Sequence, residues 1–143
     1  MTKILLDTDV ILDFLFDREP FAENAARIIS LCESGKIEGY ITPVIISNTY
    51  YLLRKTATHE EVIEKLRILL SIIDVLIIDK HIILQALNSS FRDFEDALQN
   101  YSAESDKSID VIITRNVKDY KVSALIVMPP EKYINTINEN IQQ

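Results

Sequence analysis

The run Ile4-Leu5-Leu6-Asp7-Thr8-Asp9-Val10-Ile11-Leu12-Asp13-Phe14-Leu15 sets three aspartates into an otherwise apolar stretch. Its beginning, Lys3 to Leu6, reads as a short buried strand that the acids end, and Val10 to Phe16 has the spacing of a helix. A carboxylate taken out of water without a partner costs about several kcal/mol even after relaxation. A helix cap, a cation or water must therefore balance each of the three.

The same grammar repeats along the chain. Glu38 to Thr42, Asp74 to Ile78, Asp110 to Thr114 and Ala124 to Met128 are further strand candidates of about five residues. Helical patterns separate them. Phe21 to Glu33 is stopped by Gly35, and Pro43 opens a helix to about Lys55. Thr58 to Glu61 has capping-box spacing before a helix to about Ser71, Asp79 caps one to about Ser90, and Asp93 caps Phe94 to Ser105. Pro129-Pro130 lead into a last polar helix, Glu131 to Asn140. Short apolar strands alternating with helices indicate an α/β domain with a mainly parallel sheet covered on both faces.

With 143 residues and no linker-like segment, residues 1–143 read as one domain. Cys32 is the only cysteine, so an intrachain disulfide is excluded and core packing is its expected role. Met1-Thr2-Lys3 pass straight into a short apolar run interrupted by acids, which fits neither a signal peptide nor a membrane span. A cytoplasmic protein without membrane contact is expected. A net charge of −7 argues against a protein that coats nucleic acid through its overall field, while leaving room for local basic patches.

In open sheets of this kind, ligands bind outside the carboxyl ends of the strands where strand order reverses. Asp7 and Asp9 follow the first strand directly, and Asn116 and Asp119 follow the fourth in TRNVKDY. Asp93 and Asp96 stand at the start of the helix before that strand. Residues far apart in sequence thus converge on one sheet edge. Several carboxylates in one cavity raise each other's pKa unless a cation neutralises them. Oxygen donors without nearby Cys or His suit Mg2+ or Mn2+ rather than zinc. Such an ion makes hydrolysis of a phosphodiester feasible without a side-chain nucleophile. Asp9, Asp93 and Asp96 also have ordinary uses as caps or first-turn acids. Asp110 reads as structural, and Asp13 and Asp17 as solvated. His59 and His81, at helix starts, read as surface residues.

Taken together, ILLDTDVILDFLFDREPF, ISNTYYLL, DFEDALQ, DVIITRNVKDY and MPPEKYI resemble, in order and spacing, the PIN-domain nucleases, and more closely their VapC-like bacterial members. The resemblance runs nearly end to end. It implies a three-layer α/β/α fold on a five-stranded mainly parallel sheet, and a Mg2+- or Mn2+-dependent endoribonuclease. It further implies the toxin of a toxin–antitoxin pair, with an antitoxin protein as partner and a homodimer as assembly. Carried over by position, Asp7 and Asp96 match metal-binding acids, with Asp93 and Asp119 as further metal ligands. Asn116 falls at the family's last acidic or amide position. Many members have a glutamate in the helix after the second strand, where Asn48 stands here. Ser47 and Thr49 are candidates to hold a phosphate or water, and Asn48 stands with Ser47 among the substrate-binding candidates. Arg18, Arg92, Arg115 and Lys118 are bases placed to meet RNA, and Arg54-Lys55 and Lys121 extend the track.

Two other readings compete. A catalytically weak PIN-like module that binds RNA or protein is motivated by Asn48. LLDTDVI also approaches the motif of haloacid-dehalogenase-like phosphatases, in which the first Asp is a nucleophile. Ile11 replaces the expected Thr or Val there, and no cap insertion is visible.

Overall fold

Lys3–Leu6 form β1, the centre of a sheet that β2 (Glu38–Ile41), β3 (Asp74–Val75), β4 (Val111–Ile113) and β5 (Ile126–Met128) complete in the order β3-β2-β1-β4-β5. These elements belong to a computed structural model that describes residues 2–106 and 108–142. Every pairing is parallel; Leu5 lies opposite Tyr40 on one side and Ile112 on the other. Ile4, Leu5, Leu6 and Ile112 are fully buried. Burial on both faces is why β1 and β4 read as unbroken apolar runs rather than alternating ones.

The helices are α1 (Thr8–Leu15), α2 (Ala22–Glu33), α3 (Pro43–Leu53), α4 (His59–Ile72), α5 (Lys80–Leu87), α6 (Phe94–Ser105) and α7 (Pro130–Gln142), with a 3-10 turn at Val117–Tyr120. α1, α2, α3, α4 and α7 pack among themselves, and α5 packs with α6, giving the α/β/α layers. Thr58, Asp79 and Asp93, read as caps from sequence, accept from Glu61, Ile82 and Asp96 N–H, and Thr42, read as the end of a strand, caps α3 by accepting from Ile45 N–H. Each such cap contributes about 1 kcal/mol. α7 buries Tyr133 and Ile134 in the main core and contacts α2, so this polar helix closes the domain.

Two details depart from the sequence pattern. The third strand pairs over two residues instead of five. Its partner β2 ends where Thr42 caps α3, so beyond the Leu76 N–H bond to the Ile41 carbonyl there is no backbone left to pair with. Ile77 is 74% exposed, and its carbonyl accepts from the Ser102 hydroxyl of α6 instead. Asp13, expected in solvent, is 1% exposed, for a reason given below.

Both glycines have a backbone reason. Gly35 adopts φ +77 after α2, and a Cβ on Gly39 would sit 2.7 Å from the Cys32 sulfur. Cys32 therefore packs directly on β2, and burial pushes its thiol up to about 12. His59 and His81 are exposed. Among the described residues no helix is long and apolar enough to cross a membrane.

Candidate functional site

β1 and β4 are neighbours, yet the chain continues to opposite sides of the sheet from them, so a crevice opens at their carboxyl ends. Asp7 is the first residue past β1, and its N–H still bonds the Ile113 carbonyl of β4. The side chain is 5% exposed; one carboxylate oxygen accepts from Thr8 N–H at 2.8 Å and the other from the Thr114 hydroxyl at 2.8 Å. Among the described residues no cation pairs with it. Burial, and then the charge of Asp9, pushes its pKa up from near 3.8 to about 7, against the pull of those two hydrogen bonds.

Asp96, in the first turn of α6, is half-buried across the crevice. Burial, then the charges of Asp7, Asp93 and Asp119, raise its pKa to about 7 as well. The two acids and Asp9, Asp93, Glu95, Asp119, Asn116 and Arg18 wall one hollow of about 290 Å³. A water occupies roughly 30 Å³ in the liquid, so a hydrated ion and a phosphate group both fit. Six carboxylates face one guanidinium there, and the hollow is strongly acidic.

Asp9 has a different task from the cap it resembles, because Asp7 occupies the cap position of α1. One Asp9 oxygen accepts from Arg115 N–H at 3.0 Å and Asn116 Nδ2 at 3.2 Å, tying α1 to the turn after β4. The other oxygen is buried with no hydrogen-bond partner. Asp13, one helical turn further on, receives the Arg115 Nε at 2.7 Å and NH2 at 3.1 Å, a two-point pair beneath the turn. The same guanidinium lies 3.9 Å over the Phe21 ring. This pairing is the reason Asp13 is buried, and it takes two of the five N–H donors through which Arg115 was expected to meet RNA.

The other candidates separate by position. Asp93 and Asp119 stand at the exposed lip, and Asn116 is exposed with its amide on Asp9. Asn48 is outside the acid hollow, in an adjoining one that also includes Thr8 and Glu95. Ser47 is exposed on α3 and walls neither hollow, while Thr49 is fully buried.

Several side chains at the site had no signal in the sequence reading. Thr114 is fully buried and donates to Asp7. Glu95, between the two hollows, accepts from the Thr8 hydroxyl and Gln99 Nε2, both at 3.3 Å. The Tyr120 hydroxyl lies 3.3 Å from Gln99 Oε1 and 3.4 Å from Asp96, and its pKa is driven strongly upward by burial and by the nearby acids. A hydrogen-bonded chain thus runs from α1 through Glu95, Gln99 and Tyr120 towards Asp96. The i to i+4 spacing of Glu95 and Gln99 was the one local clue.

Among the described residues no three His, Cys, Asp or Glu side chains close around a single point. The donor set nevertheless fits Mg2+ or Mn2+. Mg2+ is typically held by one or two carboxylates and keeps several waters, which matches Asp7 and Asp96 with further acids around them.

The raised pKa values have a thermodynamic consequence. Between about pH 4 and pH 7 the folded protein keeps protons that the unfolded chain releases, so stability falls as pH rises through that window. In chelator, Tm should drop by at least about 3 °C from pH 5 to pH 8. Mn2+ added at pH 8 should recover it. A thermal melt flat across this range would contradict the electrostatics described here.

Comparison with known proteins bears on the family and the fold. A family model described as PIN domain matches residues 3–118. A toxin-antitoxin complex from Klebsiella pneumoniae is similar in fold, with TM-score 0.66 and 21% identity over 89% of this chain and 97% of that one. VapBC-1 from nontypeable Haemophilus influenzae gives 0.66 and 17% over 91% and 99%. VapBC2 from Rickettsia felis, bound to a DNA fragment from its promoter, gives 0.62 and 16% over 88% and 97%. No curated protein matches the chain significantly by sequence.

Proposed function

The chain belongs to the PIN-domain family, and on that premise we propose that it is a metal-dependent ribonuclease that hydrolyses RNA phosphodiester bonds. The observation that carries the reading is the pair Asp7 and Asp96, two acids raised to about 7 in one hollow with no protein cation paired to either among the described residues. Asp7 and Asp96 would hold Mg2+ or Mn2+, with Asp93, Asp119 and Asn116 assisting from the lip. When bound, the ion supplies Lewis-acid polarisation of the phosphate and a hydroxide from water at neutral pH. The Thr8 hydroxyl and Gln99 fix Glu95 beside this centre, where it offers the negative charge that Asn48 lacks. Arg18, on the wall of the hollow, offsets the charge of the bound phosphate.

Cleavage of single-stranded and structured RNA by wild type, Asp7→Asn and Asp96→Asn, with and without Mn2+, tests the proposal. Equal, metal-independent rates for all three would sink it. Phosphate trapped on Asp7 would instead favour a phosphoenzyme, and RNA cleavage with no covalent intermediate would remove that reading.

Asn48 favours one second reading, a PIN-like module with a weak site that binds RNA or protein. Asn48→Glu separates the two. Next to Glu95 it should tighten Mn2+ binding by about tenfold in calorimetry, equivalent to about 1.4 kcal/mol. An unchanged affinity would place that hollow outside the metal site.

The toxin role, the antitoxin partner and the homodimer belong to this proposal as well. One solved structure of similar fold, from Klebsiella pneumoniae, is a toxin-antitoxin complex by description. On this chain Ile83, Leu84 and Leu87 form an exposed apolar face of α5, to which we assign the dimer contact. Sedimentation of Leu84→Glu as a monomer, against a wild-type dimer, checks it.

A further inference from the structure

Tyr120 ends the 3-10 turn after β4 and is packed as a core residue. It is 2% exposed, belongs to the main hydrophobic cluster, and its ring meets Phe91 edge-on at 6.0 Å. Phenylalanine would fill that space without burying a hydroxyl, and a hydroxyl taken out of water costs free energy unless it is bonded. The Tyr120 hydroxyl finds its acceptors on α6, at Asp96 Oδ1, 3.4 Å away, and Gln99 Oε1, 3.3 Å away. One hydrogen serves two oxygens, which accounts for contacts longer than a single O–H···O bond. Gln99 is fully buried, and its Nε2 donates to Glu95 at 3.3 Å, which leaves Oε1 to the phenol.

The two deep acids of the crevice are held unequally. Asp7 accepts from Thr8 N–H and from the Thr114 hydroxyl, whereas among the described residues Tyr120 is the one donor to the Asp96 side chain. We infer that Tyr120 is a positioning residue, whose hydroxyl fixes the carboxylate of Asp96 and, through Gln99, that of Glu95, so that α6 presents both acids in one orientation. This rests on the metal site of the ribonuclease reading and adds a residue that acts on it through the acids. Tyr120 itself does not wall the hollow. A carboxylate that loses its last donor is free to turn about its side-chain bonds, and the donor set it belongs to loses its shape. Removing such an outer partner of a ligating group costs about 10- to 100-fold in metal affinity.

Tyr120→Phe keeps the ring and removes only the hydroxyl. Calorimetry at pH 8 should show Mn2+ bound about 10- to 100-fold more weakly than by wild type. Carboxyl-carbon NMR of the metal-free variant at the same pH should show the Asp96 and Glu95 signals displaced, with those of Asp13, Asp79 and Asp110 in place. A hydroxyl that served packing alone would disturb these two signals no more than the other three. The role is overturned if the variant binds Mn2+ as tightly as wild type, or if the Asp96 signal does not move. It is equally overturned if affinity falls while all five signals move together, the mark of a loosened core. Under any of these outcomes, a wild type that binds Mn2+ and cuts RNA leaves the ribonuclease reading standing without Tyr120. If wild type binds no Mn2+, the metal site and the role built on it are both lost.

Discussion

Asp7→Asn is expected to lower Mn2+-dependent RNA cleavage by at least about 100-fold while leaving the metal-free protein at least as stable as wild type at pH 8. The two effects have one cause. Asp7 is 5% exposed, its pKa is raised to about 7 by burial and by Asp9, and no cation among the described residues offsets its charge. At pH 8 the folded state must carry a carboxylate it holds poorly, and asparagine removes that cost while keeping the shape. In the proposed function the same change removes one of the two carboxylates assigned to the ion, whose Lewis acidity would supply several kcal/mol of transition-state stabilisation, and about 1.4 kcal/mol is tenfold in rate. An acid retained for structure would behave in the opposite way, with stability falling and chemistry unchanged. Measuring kcat/KM on RNA beside thermal melts in chelator separates the cases. A variant that cleaves like wild type, or that melts earlier at pH 8, would contradict the role given to Asp7.

Asp13→Ala is expected to be the most destabilising single change near the site, by about 3 kcal/mol, or on the order of 10 °C in Tm. Removing one member of a buried pair leaves the other charged and poorly solvated. Here that partner is the Arg115 guanidinium, held at two points by Asp13 and lying over Phe21. Its side chain remains 27% exposed, which puts the figure at the lower end of the range for buried pairs. The turn that carries Asn116 follows directly, so Mn2+ affinity should weaken together with stability. Urea denaturation gives the first quantity and calorimetry the second. A loss below about 1 kcal/mol would show that the pair is screened like a surface one.

The comparison of these two aspartates shows what the sequence could reveal. Asp7 was legible because its evidence is local: an apolar strand, then an acid, at a position where open sheets bind ligands. The caps at Thr58, Asp79 and Asp93 were legible for the same reason, and so were the strand centres, whereas Thr42 read as the end of a strand. The gathering of Asp9, Asp93, Asp96, Asn116 and Asp119 around one hollow followed from their places at strand ends and a helix start. Asp13 was not legible, because its partner Arg115 lies 102 residues away and neither residue type advertises the pairing. Thr114, Glu95 and Tyr120 were missed on similar grounds; each is defined by a contact between elements. The short third strand was misjudged because strand length is set by the neighbour, and β2 turns into α3 first.

Thr114 has a consequence that reaches past its contact with Asp7. Its hydroxyl carries one hydrogen and has two acids in reach, Asp7 at 2.8 Å and Asp9 at 3.3 Å, while its oxygen accepts from Asn116 N–H. It can therefore support one of the two neighbouring charges at a time. The hydrogen favours the shorter contact. In Asp7→Asn the charge that holds it is gone, and rotation about a single side-chain bond would turn it to Asp9, so one hydrogen couples the two acids.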